Sequence, residues 1–93
     1  MEEKLSLKDI EDYMQKLGSW ELGINEISRR FEFEDFRKAV DFADKIAELA
    51  EKENHHPTII IEHNYVTLKL STHAASGLTR KDFVMAQKIE EIK

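Results

Sequence analysis

The chain has no cysteine, one proline and three glycines. Without cysteine there is no disulfide, no thiolate nucleophile and no thiolate metal site. The glycines stand alone at Gly18, Gly23 and Gly77, so no glycine-rich loop is there to cradle a phosphate or a dinucleotide. No nucleophile elbow surrounds any serine. No apolar run approaches the ~20 residues of a membrane span. The opening Met1-Glu2-Glu3-Lys4-Leu5 lacks the basic start and apolar stretch of a secretion signal, and a cytoplasmic protein is expected. Histidine is missing from the first 54 residues and from the last 20.

What is present suits a single globular domain spanning residues 1–93, with 41% hydrophobic and 35% charged residues. The net charge of -5, from 14 basic and 19 acidic residues, is unsuited to phosphate neutralisation, so no nucleic-acid partner is expected. A chain this short buries only about 60–65% of its unfolded surface. Association with copies of itself would supplement that modest core. Glu and Lys supply 23 residues and Gln and Asn only 5. Heat-adapted proteins show that balance, and so does any solvated, helix-rich surface.

Hydrophobic periodicity divides the chain. Ser6 to Leu17 reads as a helix: Ser6 caps it, and Leu7, Ile10, Tyr13, Met14 and Leu17 form one stripe that Gly18 ends. Trp20, Leu22 and Ile24 alternate with polar residues, as do Ile27, Arg29, Phe31 and Phe33, which predicts a hairpin. Glu34 to Glu53 is the longest helix. Phe36, Ala39, Val40, Ala43, Ile46, Ala47 and Ala50 make its buried face, and Glu34 and Asp35 fall in its first turn. Trp20, Phe31, Phe33 and Phe36 are expected in the core. Pro57 disfavours the helical region for His56 and stops the helix. Thr58–His63 and Tyr65–Ser71 form a second hairpin about a tight turn at His63-Asn64. Thr79 caps a last helix with Asp82 as its carboxylate at the third position. Its buried stripe is Phe83, Ala86, Ile89 and Ile92, with Met85 in the alternative register. The expected class is α+β, in the order α-β-β-α-β-β-α, with three helices on one face of a four-stranded antiparallel sheet.

All four histidines lie between positions 55 and 73. His55-His56-Pro57 sits where a helix gives way to a strand, and His73 follows the next hairpin, so both can meet at one sheet edge. Glu51 stands four residues before His55, where a carboxylate on the same helical face can accept its proton and fix its tautomer. Three histidines and a carboxylate suit acid/base chemistry without a metal, because imidazole titrates near working pH. Zinc is the rival, but zinc-binding histidines usually arrive at wider spacing than the adjacent His55 and His56, and no metal is expected. The plainer alternatives are a histidine serving the helix dipole, a solvated His63, and Asp82 as a helix cap alone.

The pattern Glu51-x-x-x-His55-His56-Pro57, then Ser71-Thr72-His73, then Gly77-Leu78-Thr79 and Asp82, resembles the pterin-4a-carbinolamine dehydratase family. The spacings fit without a gap, and Trp20 and the segment Arg30–Ala39 extend the likeness over nearly the whole chain. The resemblance implies loss of water from 4a-hydroxytetrahydropterin to give quinonoid dihydropterin, with the pterin as substrate and no cofactor. It implies a catalytic set of His55, His56 and His73, in which His56 resembles the principal base. Glu51 would orient the set, and Asn54, Ser71, Thr72 and Ala74 would contact the pterin. It also implies a homodimer or homotetramer. Departures from the family pattern are Thr58 and Ile59 after the proline, His63 with Tyr65 in the next turn, and Ser19 before Trp20. They spare the acid/base set and alter the pocket wall. A non-catalytic pterin binder or oligomeric adaptor on the same scaffold is the alternative.

Overall fold

The computed structural model describes residues 3–93; Met1 and Glu2, part of the opening stretch weighed above, lie outside the described residues. The elements run α1 (Leu7–Leu17), β1 (Glu21–Leu22), β2 (Ile27–Glu32), α2 (Phe36–Glu53), β3 (Thr58–Glu62), β4 (Tyr65–Leu70) and α3 (Arg80–Ile92), with a short 3₁₀ turn at His73–Ala75. The strands make one antiparallel sheet in the order β1-β2-β4-β3, so the two hairpins join through β2 and β4. That is the expected order and class.

Strand register decides which residues are buried. Ile27 faces Leu70, Arg29 faces Leu68 and Phe31 faces Val66, and β3 adds Ile59 opposite Leu68. These residues share one sheet face because side chains alternate along a strand. Ile27, Phe31, Val66, Leu68 and Leu70 are buried there beneath the helices. The opposite face carries Ser28, Arg30, Thr67 and Lys69, with the Arg30 guanidinium 3.7 Å from the Tyr65 ring centroid.

The helices begin and end where their caps dictate. Ser6 accepts from the Asp9 amide, and Gly18 closes α1 with a positive φ of 79°. Asp35 is the cap of α2, taking the Lys38 amide at 2.9 Å. Glu34 and Asp35 therefore precede the helix instead of occupying its first turn. The buried stripe of α2 is Ala39, Phe42, Ala43, Ile46 and Ala50. Phe36, expected in the core, is 59% exposed, and Ala47 is exposed too. At 3.6 residues per turn both fall to one flank of the line through Ala39, Ile46 and Ala50. Phe42 falls to the other flank, where its ring meets Phe31 and Phe33, each at 4.9 Å between centroids.

Strand β1 is shorter than the alternation suggests. The Gly23 amide bonds the Glu26 carbonyl, Asn25 takes a positive φ, and Ile24 stands 92% exposed in the turn. In α3 the two registers merge: Phe83, Met85, Ala86 and Ile89 are all buried, because α3 lies between α2 and α1 and is covered from more than one side. Tyr13 of α1 stacks on Phe83 at 4.7 Å, which fixes α1 against α3.

Candidate active site

The end of β4, the start of β3 and the N-terminus of α3 come together at one end of the sheet. Thr58 pairs with Lys69, which brings the α2–β3 loop beside the residues that leave β4. The loop takes its direction from Asn54, the C-cap of α2, which adopts a left-handed conformation (φ 54°, ψ 42°). The helical phase is lost there, and the two histidines part.

His55 turns inward. Its Nε2 lies 2.6 Å from Oδ1 of Asp82, and its side chain is 11% exposed. Asp82 is fully buried. Its second oxygen, Oδ2, accepts the Thr79 amide at 2.9 Å and the Thr72 hydroxyl at 2.8 Å. The protons can be assigned from donor capacity. A carboxylate only accepts, so His55 donates from Nε2 to Asp82 and turns Nδ1 away from it. Thr72 spends its one proton on Asp82, so the 2.8 Å contact between Thr72 and Thr79 is a donation from Thr79. Among the described residues no buried side-chain nitrogen or oxygen lacks a partner. A fully satisfied network of this kind holds one geometry.

His56 turns outward. Its Nε2 lies 2.6 Å from Oε2 of Glu51, with the two side chains 57% and 78% exposed. The expected pairing of Glu51 with His55 is thus corrected. The helix ends at Glu53, the turn at Asn54 carries His55 off the helical face, and His56 swings back over Glu51 instead. His73 opens the 3₁₀ turn and is exposed, with Ala74 exposed after it. Ser71, Thr72 and His73 line one side of a shallow cavity of about 320 Å³, and Ile24, Asn25 and Glu26 of the β1–β2 turn line the other. A smaller cavity of about 130 Å³ opens beside His55, between the end of α2 and the first turns of α3. The network through Asp82 and Thr72 joins His55 to the wall that carries His73. Among the described residues no three His, Asp or Glu side chains are grouped to hold a metal ion.

Asp82 is the residue that sequence reasoning undervalued. The Thr79/Asp82 capping box is present, as read from the pattern. A capping box occupies only one carboxylate oxygen, however, and burial leaves the other needing a donor. That unclaimed oxygen was the available signal.

The family described as Pterin 4 alpha carbinolamine dehydratase matches residues 3–92. The chain belongs to this family. A relative from Acidobacterium capsulatum, provisionally named a pterin-4-alpha-carbinolamine dehydratase, is 46% identical over 96% of this chain and 97% of its own. A relative from Sulfurisphaera tokodaii under the same provisional name is 40% identical over 96% of each chain. Among solved structures, a transcriptional coactivator/pterin dehydratase from Brucella melitensis superposes with a TM-score of 0.90 at 34% identity, over 96% of this chain and 97% of that one. A pterin dehydratase-like protein identified as a RuBisCO assembly factor in the alpha-carboxysome shares the fold, with a TM-score of 0.68 at 23% identity over 80% of this chain and 88% of that one. In this dehydratase family member, as described, no helix is long and apolar enough to cross a membrane.

Proposed function

We propose that the protein is a pterin-4a-carbinolamine dehydratase that works by histidine acid/base catalysis without a metal or cofactor. The observation that carries the proposal is the buried Asp82, which holds His55 by Nε2 and ties it through Thr72 to the segment bearing His73. The reaction requires one proton removed and one supplied. A base takes the proton from N5, the C4a=N5 double bond forms, the C4a–O bond breaks, and an acid protonates the departing hydroxyl to water. Both transfers lie within the range of imidazole.

In this reading His56 takes the N5 proton, and Glu51 beside it stabilises the imidazolium that results. His55 and His73 bear on the 4a-hydroxyl as acid and shuttle. Asp82 keeps the His55 ring from turning, so its Nδ1 stays directed at the substrate. Asn54, Ser71, Thr72 and Ala74 form the frame around the pterin. Thr72 does so with its hydroxyl committed to Asp82 and its amide to the Gly77 carbonyl, so it shapes the frame by being held in place. The protein works as a homodimer or homotetramer in the cytoplasm.

The test is dehydration of 4a-hydroxytetrahydropterin, generated in situ and followed by stopped-flow absorbance, with wild type and His56→Ala side by side. The expected result is a large rate enhancement that the variant loses. A folded wild type that gives no enhancement would overturn the enzyme reading and leave the scaffold as a binding protein, the role its alternative assigns.

A further inference from the structure

The cavity that carries His73 has a second wall that the proposed dehydration leaves without a task. Ser71, Thr72 and His73 stand on one side, and Ile24, Asn25 and Glu26 of the β1–β2 turn stand on the other. The turn is held in place across the gap. The Gly23 amide donates to the Glu26 carbonyl at 2.8 Å, Leu22 pairs with Ile27, and Ile27 pairs with Leu70. Carried one residue further, that antiparallel register sets Glu26 opposite Ser71, a member of the proposed pterin frame. Asn25 reaches toward the far wall: its Oδ1 lies 3.4 Å from where a Cβ on Gly77 would stand.

Glu26 differs from the other carboxylates. Among the described residues only Glu26, Glu53, Asp82 and Glu90 are withdrawn from full exposure. Glu53 is paired with Lys88, Asp82 with His55 and Glu90 with Arg29. Among the described residues Glu26 alone of these has neither a cation nor a hydrogen-bond donor on its side chain. A carboxylate partly removed from water is stabilised by donors, and this one lacks them within the chain. Its oxygens are not sealed in, because among the described residues no buried side-chain oxygen is without a partner. They are reachable from the cavity that the residue lines. The turn also sets their direction, since the side chain lies along Gly23, with Cγ 3.3 Å from where a Cβ there would stand.

Resting on the dehydratase reading, we infer that Glu26 recognises the aminopyrimidinone edge of the pterin, so that the substrate class is the 2-amino-4-oxopteridines and not their 2-oxo counterparts. On that edge N3–H and the 2-amino group offer two parallel N–H donors, which match the two oxygens of a carboxylate. A 2-oxo ring puts a carbonyl in place of one donor, and two acceptors then face each other. Ile24, 92% exposed on the same wall, gives the ring an apolar surface. The reacting carbon is directed to the opposite wall, where His73 stands.

The experiment titrates the protein with pterin and with lumazine, its 2-oxo counterpart, and follows the fluorescence of each heterocycle below neutral pH, where both are uncharged. The expected result for wild type is a Kd about tenfold or more lower for pterin, the size of one charge-assisted hydrogen bond. In Glu26→Gln the ratio should fall to about one or reverse, because the carboxamide donates to the 2-oxo group. A thermal melt checks that the variant is folded. Glu21→Gln, which removes a carboxylate from β1 of the same hairpin outside the cavity, should keep the preference. Equal Kd values in wild type, a preference kept by Glu26→Gln, or one lost equally in Glu21→Gln would overturn the inference. Stopped-flow dehydration separates the two readings. Turnover without the preference removes the Glu26 contact and leaves the dehydratase standing; the preference without turnover supports the contact and removes the dehydratase.

Discussion

Oδ1 of Asp82 lies 2.6 Å from Nε2 of His55, across 27 residues of chain, and the carboxylate is fully buried. One side chain thus serves both as a helix cap and as the partner that holds His55. Its two oxygens accept three donors, from His55, Thr72 and the Thr79 amide.

Asp82→Asn separates those duties. An amide offers one accepting oxygen and turns a donor toward either His55 or the threonines. If the amide nitrogen faces His55, Nε2 must accept and the ring's proton moves to Nδ1, so Nδ1 can no longer take up a proton as a shuttle must. Stability should fall by about 1–3 kcal/mol, the usual cost of an unsatisfied buried group, as read by urea denaturation. The value of kcat should fall by at least about tenfold, equivalent to about 1.4 kcal/mol, with KM little changed. Nitrogen NMR of His55 supplies the readout that a merely structural role would not move. An unchanged tautomer together with an unchanged kcat would sink the positioning role.

His56 and Glu51 offer the contrasting case. Both side chains are more than half exposed, so their contact adds little to the fold. His56→Ala should leave stability within about 0.5 kcal/mol of wild type. Its kcat should drop by about 10²–10⁴, the usual contribution of a general base. Glu51→Gln should cost about tenfold or less, because solvent already stabilises the imidazolium. A Glu51→Gln loss as large as that of His56→Ala would show Glu51 to be more than a helper.

The fold was legible because its signals are local. Ser6, Gly18, Thr79 and Pro57 mark helix ends, and period-two alternation marks β2 and β4. The exceptions arise where a third element decides. Phe42 is buried because Phe31 and Phe33 lie over it, and Met85 because α3 is covered on two sides. At the site, the sequence places all four histidines between positions 55 and 73, and the structure pairs His55 with Asp82 and His56 with Glu51. That pairing was not legible, because it depends on a single left-handed residue, Asn54, that breaks the helical phase between Glu51 and His55. The link from Asp82 to His55 depends on chain topology, which no local window contains.

Two glycines should respond oppositely to alanine. Gly18 has open space around it but a positive φ of 79°, so Gly18→Ala should cost about 1 kcal/mol in backbone strain. Gly77 has the reverse problem: an added Cβ would lie 2.7 Å from Cε of Lys4 and 3.4 Å from Oδ1 of Asn25. The closer atom is the far end of a flexible side chain and can move. Gly77→Ala should therefore stay within about 0.5 kcal/mol, as most changes at adaptable sites do. Adding Lys4→Ala should remove whatever penalty remains, a coupling that a double-mutant cycle would detect. A Gly77→Ala loss that persists without the Lys4 side chain would place the strain in the loop itself.

Trp20 supplies a way to separate stability from catalysis. Oε2 of Glu90 accepts its indole N–H at 2.9 Å and is also paired with Arg29, which binds β2 to the last turns of α3. Arg29 in turn lies over the Phe31 ring at 4.4 Å. Glu90→Ala would leave both donors without an acceptor, and Trp20 is only 4% exposed, so its N–H has little recourse to water. The pair itself is partly solvated, at 23% and 31% exposure, which keeps the cost below that of a fully buried ion pair. A loss of about 1–3 kcal/mol is expected. Glu90→Gln retains an oxygen for the indole and should cost less. Because this is the only tryptophan, its emission reports the environment directly and should shift to the red in Glu90→Ala. Glu90 stands two turns along α3 from Asp82, so kcat at a temperature where both proteins are folded should match wild type. A fall in kcat without a fall in stability would mean that the far end of α3 reaches the histidines through the helix.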